Sequence, residues 1–268
     1  MIRHEDIARE VRDAEYAVRG PIVARAQELE RAGRKIVYCN IGNPQSLGQR
    51  PLTWVRQVIA LAEYPELLER APAGAFPADA GEAARRVLQE SAHGLGAYTE
   101  SKGYRFVREA VAAFVQARDG IPSDPEAIYL ADGASKAVQA VLRLLISDER
   151  DGILIPIPQY PLYSATITLY GGTQVPYPLD EDAGWRLSSG VLERALGDAR
   201  ARGVRPRAIV VINPGNPTGG VLDEANVEAI LEFARRNDLA VLADEVYQDN
   251  VWLPGDRFVS FARVLEGR

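Results

Sequence analysis

At 268 residues the chain is long enough to bury a substantial core in one or two domains, and at 47% hydrophobic and 25% charged it has the composition of an ordinary globular protein. A formal net charge of −6 gives no support to nucleic-acid binding. One cysteine, Cys39, excludes an intramolecular disulfide, and with His4 and His93 it makes no zinc-type spacing, so no metal site is expected.

The N-terminus lacks the apolar core of a secretory signal, and no apolar run reaches about 18 residues. A cytoplasmic location is therefore the expectation. Ile7, Val11, Ala14 and Val18 recur at helical spacing until Gly20-Pro21 breaks the pattern, and a second helix is predicted over 21–32, ending at Gly33. Ile36–Cys39 reads as a short strand before a turn at Gly42-Asn43-Pro44. Helices are predicted at 51–63, with Pro51 in the first turn, and at 82–91, with an Ala/Pro/Gly-rich loop over 71–81 between them. The irregular Gly94–Tyr98 marks the entry to a main domain, so the predicted division is 1–95 and 96–268.

From there strands and helices alternate. A helix over 104–118 precedes a strand at Ile128–Leu130, and Gly133-Ala134-Ser135 opens a helix to about 146. Further strands are predicted at 153–155, 173–177, 208–212 and 240–243, separated by helices at 160–170, 189–202 and 223–236. Short apolar strands between helices of 10–15 residues predict an α/β fold with a mostly parallel sheet covered on both faces.

Four segments carry polar groups to the carboxyl ends of these strands, where open α/β sheets bind ligands. Gly133–Lys136 joins a strand to a helix start, whose free amides, with the Ser135 hydroxyl and the Lys136 charge, suit an anion; an ordinary serine cap fits the same residues. Tyr160 ends a strand, where its ring could lie on a flat cofactor or anchor a Pro-rich turn. Asn213–Gly219 is a rigid turn that presents Asn216. Asp244 closes the apolar segment from Leu239, and a carboxylate there needs a partner; a ring nitrogen, a helix cap or an ion pair would each serve, and spacing does not separate it from Glu245. Tyr247 follows three residues on and could share one phenolate-like oxygen with Asn216. No strand leads into Gly-x-Gly-x-x-Gly, which disfavours a dinucleotide binder.

Taken together these segments resemble the fold-type I, class I/II aminotransferases, and within them the alanine aminotransferase group. The resemblance spans nearly the whole chain and rests on Tyr16–Val23, Asn40–Gln49, Leu95-Gly-Ala-Tyr98, Pro156–Ala165, Ile212–Gly219 and Leu242–Val251. It implies a pyridoxal 5′-phosphate enzyme acting on an amino acid and a 2-oxo acid in a homodimer. By the resemblance, Ala134, Ser135 and Lys136 bind the phosphate, Tyr160 stacks on the ring, Asn216 and Tyr247 contact the ring oxygen and Asp244 pairs with the ring nitrogen. Tyr98 reaches the phosphate of the partner subunit, and Gly42 lies near the substrate carboxylate. In the family the Schiff-base lysine follows the Asp-x-x-Tyr motif in a Ser-x-Ser-Lys type sequence. None of Lys35, Lys102 and Lys136 matches that position, so no catalytic lysine is expected among these residues. The resemblance further implies an incomplete large domain, with Ile128–Leu130 parted from the other strands, plus an N-terminal arm and part of a small domain. A non-catalytic cofactor-binding or dimerising fragment, or an aminotransferase of other amino-acid preference, is the alternative.

Overall fold

The computed structural model describes residues 3–267 except 17–19, 40, 41, 43, 92 and 93. Val18, Asn43 and His93 of the sequence expectations lie outside the described residues. The chain divides into two compact units, one of residues 1–36, 119–121 and 131–268, the other of residues 37–118 and 122–130.

The first unit begins with a short 3-10 turn at His4–Asp6, then α1 (Arg9–Asp13) and α2 (Pro21–Arg31). The long first helix expected from the N-terminal stripe is thus not formed. Ile7 and Val11 stay exposed, so the stripe gains too little burial to hold a helix together. In the second unit lie α3 (Trp54–Glu63), α4 (Leu67–Arg70) and α5 (Ala78–Glu90), which pack around Leu61, Ala62, Ala80 and Ala84. The expected loop over 71–81 turns helical at Ala78. Residues 36–39 form no strand. After α6 (Arg105–Asp119), Ile128 is extended, but residues 128–130 also form no strand. The Leu130 amide donates to the Lys102 carbonyl at 2.9 Å, and among the described residues no neighbouring strand supplies the rest of a ladder.

The parallel sheet belongs to the first unit. After α7 (Ala134–Leu145) come β1 (Asp151–Ile157), α8 (Leu162–Leu169), β2 (Thr173–Pro178), α9 (Ser189–Ala201), β3 (Arg205–Ile212), α10 (Glu224–Asn237), β4 (Ala240–Asp244) and α11 (Phe261–Glu266). The strand order is β2-β1-β3-β4, with every pairing parallel. Side chains alternate across it with period two. Leu154, Ile209 and Val211 join the core beneath α9, α10 and α11, while Ile153, Ile155, Ala208, Val210 and Ile212 meet α7 and α8. Burial on both faces explains why β1 and β3 read as continuous apolar runs. Helix starts are marked where the sequence supplies caps: Asp223 Oδ1 accepts the Asn226 amide at 2.8 Å, and Ser260 Oγ accepts the Arg263 amide at 3.1 Å. Asp238, at φ 58, ends α10 in the left-handed conformation.

Candidate functional site

Because the strands are parallel, the carboxyl ends of β1, β3 and β4 lie together at one edge of the sheet. β3 runs into Asn213, which is fully buried and spends its polar atoms on holding the turn. Its amide donates to the Asp244 carbonyl at 2.9 Å, its Oδ1 accepts the Leu222 amide at 2.9 Å, and its Nδ2 donates to the Val259 carbonyl at 3.4 Å. The turn closes on itself through Gly215 N–H to Gly220 O at 2.9 Å and Gly219 N–H to Gly215 O at 2.8 Å. A Cβ at Gly215 would meet Thr218 Oγ1 at 2.5 Å, so any larger residue there must displace the Thr218 side chain. The braced turn presents Asn216, whose Nδ2 stands 3.5 Å from the Tyr247 hydroxyl. That is the outer limit of a hydrogen bond, so both groups keep capacity for a third partner. Pro214, Asn216, Tyr247, Asn250 and Trp252 line an open depression at this point.

Asp244 is the last residue of β4. Its Oδ1 accepts the Val246 amide at 3.2 Å, and its Oδ2 accepts the Tyr163 hydroxyl at 2.6 Å. The neighbouring Glu245 turns away, with Oε1 accepting the Phe261 amide at 2.8 Å at the start of α11. The two carboxylates that spacing left unseparated thus have different surroundings: Glu245 holds a helix start, while Asp244 stays with the strand ends.

Tyr160 follows β1 and is half-buried. Its hydroxyl accepts that of Tyr16 at 2.6 Å, with the two rings edge to face at 6.2 Å. α1, which leads to Tyr16, lies against α8. α7 enters β1 through a short link and packs on its face, so it runs back along the sheet and its N-terminus lies toward the strand carboxyl ends. Gly133 caps it at φ 81 without a side-chain bond. The amides of Lys136 and Ala137 bond the Gly133 carbonyl, leaving those of Ala134 and Ser135 at the outward end. Ala134, Ser135 and Lys136 are all exposed.

The first unit therefore gathers Asn216, Asp244, Tyr247 and Tyr160 at one sheet edge, with the α7 start turned toward the same edge. Tyr98 and Gly42 belong to the second unit and are exposed there. Two tyrosines that sequence reasoning did not single out, Tyr16 and Tyr163, bond directly to members of the set. Once α8 buries it fully, the Tyr163 phenol needs a polar partner for its hydroxyl, but in sequence it reads as one more core residue of an apolar helix.

Among the described residues, no helix is long and apolar enough to cross a membrane. The profile of the family described as "Aminotransferase class I and II" matches residues 69–265. The chain is 50% identical over 263 residues to glutamate–glyoxylate aminotransferase 1 of Arabidopsis thaliana, covering 98% of this chain and 55% of that protein. It is 51% identical over 268 residues to alanine aminotransferase 1 of Homo sapiens, covering 95% and 53%. Among solved structures, an alanine aminotransferase from Pyrococcus furiosus superposes with TM-score 0.74 at 25% identity, over 96% of this chain and 56% of that one. An aminotransferase from Escherichia coli gives 0.71 at 29% identity, over 96% and 55%. The chain spans about half the length of the curated relatives it matches. With a match over most of its length and a sheet edge furnished as described, the chain belongs to the class I and II aminotransferase family.

Proposed function

We propose that this chain forms the cofactor-holding part of a pyridoxal-phosphate-dependent aminotransferase, most like one that moves an amino group between alanine and 2-oxoglutarate. The family depends on this cofactor. The observation that carries the reading is Asp244: a carboxylate at the end of β4, at the same sheet edge as an amide and a phenol whose mutual bond, at 3.5 Å, leaves both with capacity for a further partner.

The donor set fits the group. Asp244 accepts from a protonated ring nitrogen, each charge keeping the other ionised. Asn216 and Tyr247 donate to the ring oxygen, and Tyr160 offers its ring as a stacking face. Ala134 and Ser135 offer outward amides, with the Ser135 hydroxyl and the Lys136 charge, to the phosphate. Bound there, the cofactor supplies an electron sink for the α-carbon of the amino acid. Tyr98 serves the phosphate in the partner subunit of a homodimer, and Gly42 borders the substrate carboxylate. The division at 95/96, a homodimeric assembly and a cytoplasmic location belong to the same reading. No lysine here is assigned to capture the carbonyl: Lys102 bonds the Glu126 carbonyl, and Lys136 stands at the phosphate end.

The engagement of Lys102 and the place of Lys136 favour a second reading, in which these residues hold the cofactor without turnover. The decisive experiment adds pyridoxal phosphate to the purified chain and follows pyruvate from alanine plus 2-oxoglutarate, and glycine from glutamate plus glyoxylate. Borohydride reduction and peptide mapping follow. Transamination supports the first reading, and its amino-acid preference selects between the two relatives. Saturable cofactor binding without turnover supports the second. Absence of binding sinks both, and a reduced adduct on Lys136 with turnover overturns the role given to that lysine.

A further inference from the structure

Tyr163 is fully buried, yet its hydroxyl is 2.6 Å from Asp244 Oδ2, across 81 residues of sequence and between α8 and the end of β4. Phenylalanine would fill the same space among Ile153, Ile155, Ile167 and Ile212. What the tyrosine adds is one O–H, and it is given to Asp244, whereas the neighbouring Glu245 holds the start of α11. Tyr177 makes the contrast. It is equally buried, but its hydroxyl donates to the Val210 carbonyl at 2.6 Å, inside the sheet, where it fastens the fold and nothing else.

We propose that Tyr163 is a positioning residue for Asp244, locking the carboxylate's rotamer so that its remaining lone pairs meet the protonated ring nitrogen of the cofactor. The inference rests on the reading that Asp244 pairs with that nitrogen. A phenol giving its proton to a carboxylate makes a charge-assisted bond, which is short and directional. Burial first, and the Asp244 charge second, push the Tyr163 pKa far above its ordinary value, so the group stays a donor throughout the working pH range. With Val246 N–H on Oδ1, the carboxylate is gripped from two sides without being saturated, since each oxygen has two acceptor positions. The start of α8 thereby serves the ring twice. Tyr160, just before it, offers a face, and Tyr163, three residues later, sets the carboxylate.

Two non-covalent probes separate positioning from mere packing: pyridoxamine 5′-phosphate, and its 1-deaza analogue, in which a C–H replaces the ring nitrogen. For Tyr163→Phe in the full chain, the pyridoxamine phosphate dissociation constant is expected to rise about tenfold, as expected for a lost hydrogen bond to a charged group. The constant for the deaza analogue is expected to stay the same. Equal weakening of both probes, or of neither, overturns the proposal, because a packing defect does not sense the ring nitrogen. If the unaltered chain binds both probes equally, the pairing of Asp244 with the ring nitrogen has itself failed, and the inference falls with it. Should Tyr163→Phe not fold, 3-fluorotyrosine placed at 163 gives a second readout. Its fluorine resonance should move on saturation with pyridoxamine phosphate and hold still with the deaza analogue; an identical response to both overturns the proposal.

Discussion

The two ends of the sheet treat charge in opposite ways. At the amino ends of β1 and β3, Asp151 is 1% exposed and fully engaged. Its Oδ2 accepts the Ser147 amide at 2.9 Å, and its Oδ1 meets Arg205 at 3.0 Å and Arg207 at 3.7 Å. Asp148 beside it is held by Arg150 at 2.9 Å and Arg205 at 3.1 Å. At the carboxyl ends Asp244 pairs with no cation among the described residues, and Asn216 and Tyr247 share one bond at the 3.5 Å limit. Charges that neighbours saturate serve the fold. Groups that are oriented but left with spare valence serve a ligand, because a bond already complete has nothing left to give.

The sharpest way to break this comparison is to remove one carboxylate from each end. Asp244→Asn should weaken pyridoxamine phosphate binding about a hundredfold, the scale for removing one charge from a desolvated pair, while the urea midpoint moves little because the amide can still bond the Tyr163 hydroxyl and the Val246 amide. Asp151→Ala should do the reverse. It strands the Ser147 amide and two arginines, and should lower stability by about 2–3 kcal/mol in urea titrations while the probe binds as before. If the two variants exchange phenotypes, the division of labour between the ends is wrong.

The α7 start sharpens the same comparison within the carboxyl end. Lys136→Ala should weaken pyridoxamine phosphate about tenfold, the scale of one charge-assisted bond, and leave unphosphorylated pyridoxamine unchanged. Isothermal titration with the two probes reads the difference; equal losses would move Lys136 from the site to the fold. A smaller effect belongs to Tyr247→Phe. It removes one neutral donor and should weaken binding about fivefold, in line with a net bond of about 1 kcal/mol.

Much of this end was legible before the structure because its elements are strongly patterned. The apolar runs at 153–155 and 208–212 and the helices between them had one consistent reading, and Asp244 stood out as a charge at the end of such a run. Tyr163 did not, because a tyrosine amid Leu162, Ile167 and Leu169 reads as core until its hydroxyl is followed across the sheet. The separation of Asp244 from Glu245 likewise depends on where α11 starts, which is a tertiary fact. Ile128–Leu130 misled for the opposite reason: its residues favour a strand, but a strand exists only when a neighbour pairs with it, and here the sheet supplies none. Ile7 and Val11 kept a helical period with too little buried surface to support one.

The smallest expected effect tests the saturated end by pH. The Asp148 carboxyl is held down to about 2 from an ordinary 3.8, chiefly by the Arg150 guanidinium, then by the Arg150 amide. A folded-state value below the unfolded one means the unfolded chain takes up a proton first as acid is added. The stabilisation is therefore complete above the ordinary value of 3.8 and is lost as pH falls through about 2. Asp148 is solvent-screened, so the contribution is modest, but its window is defined. Urea midpoints measured across that window should fall more steeply for the unaltered chain than for Asp148→Asn, whose amide cannot titrate. At neutral pH, pyridoxamine phosphate binding should be the same in both, because Asp148 lies at the opposite end of the strands from Asp244. A parallel fall in the two chains would remove Asp148 from the account of acid stability. A change in probe affinity at neutral pH would show that the two ends of the sheet are coupled, and the comparison between them would no longer hold.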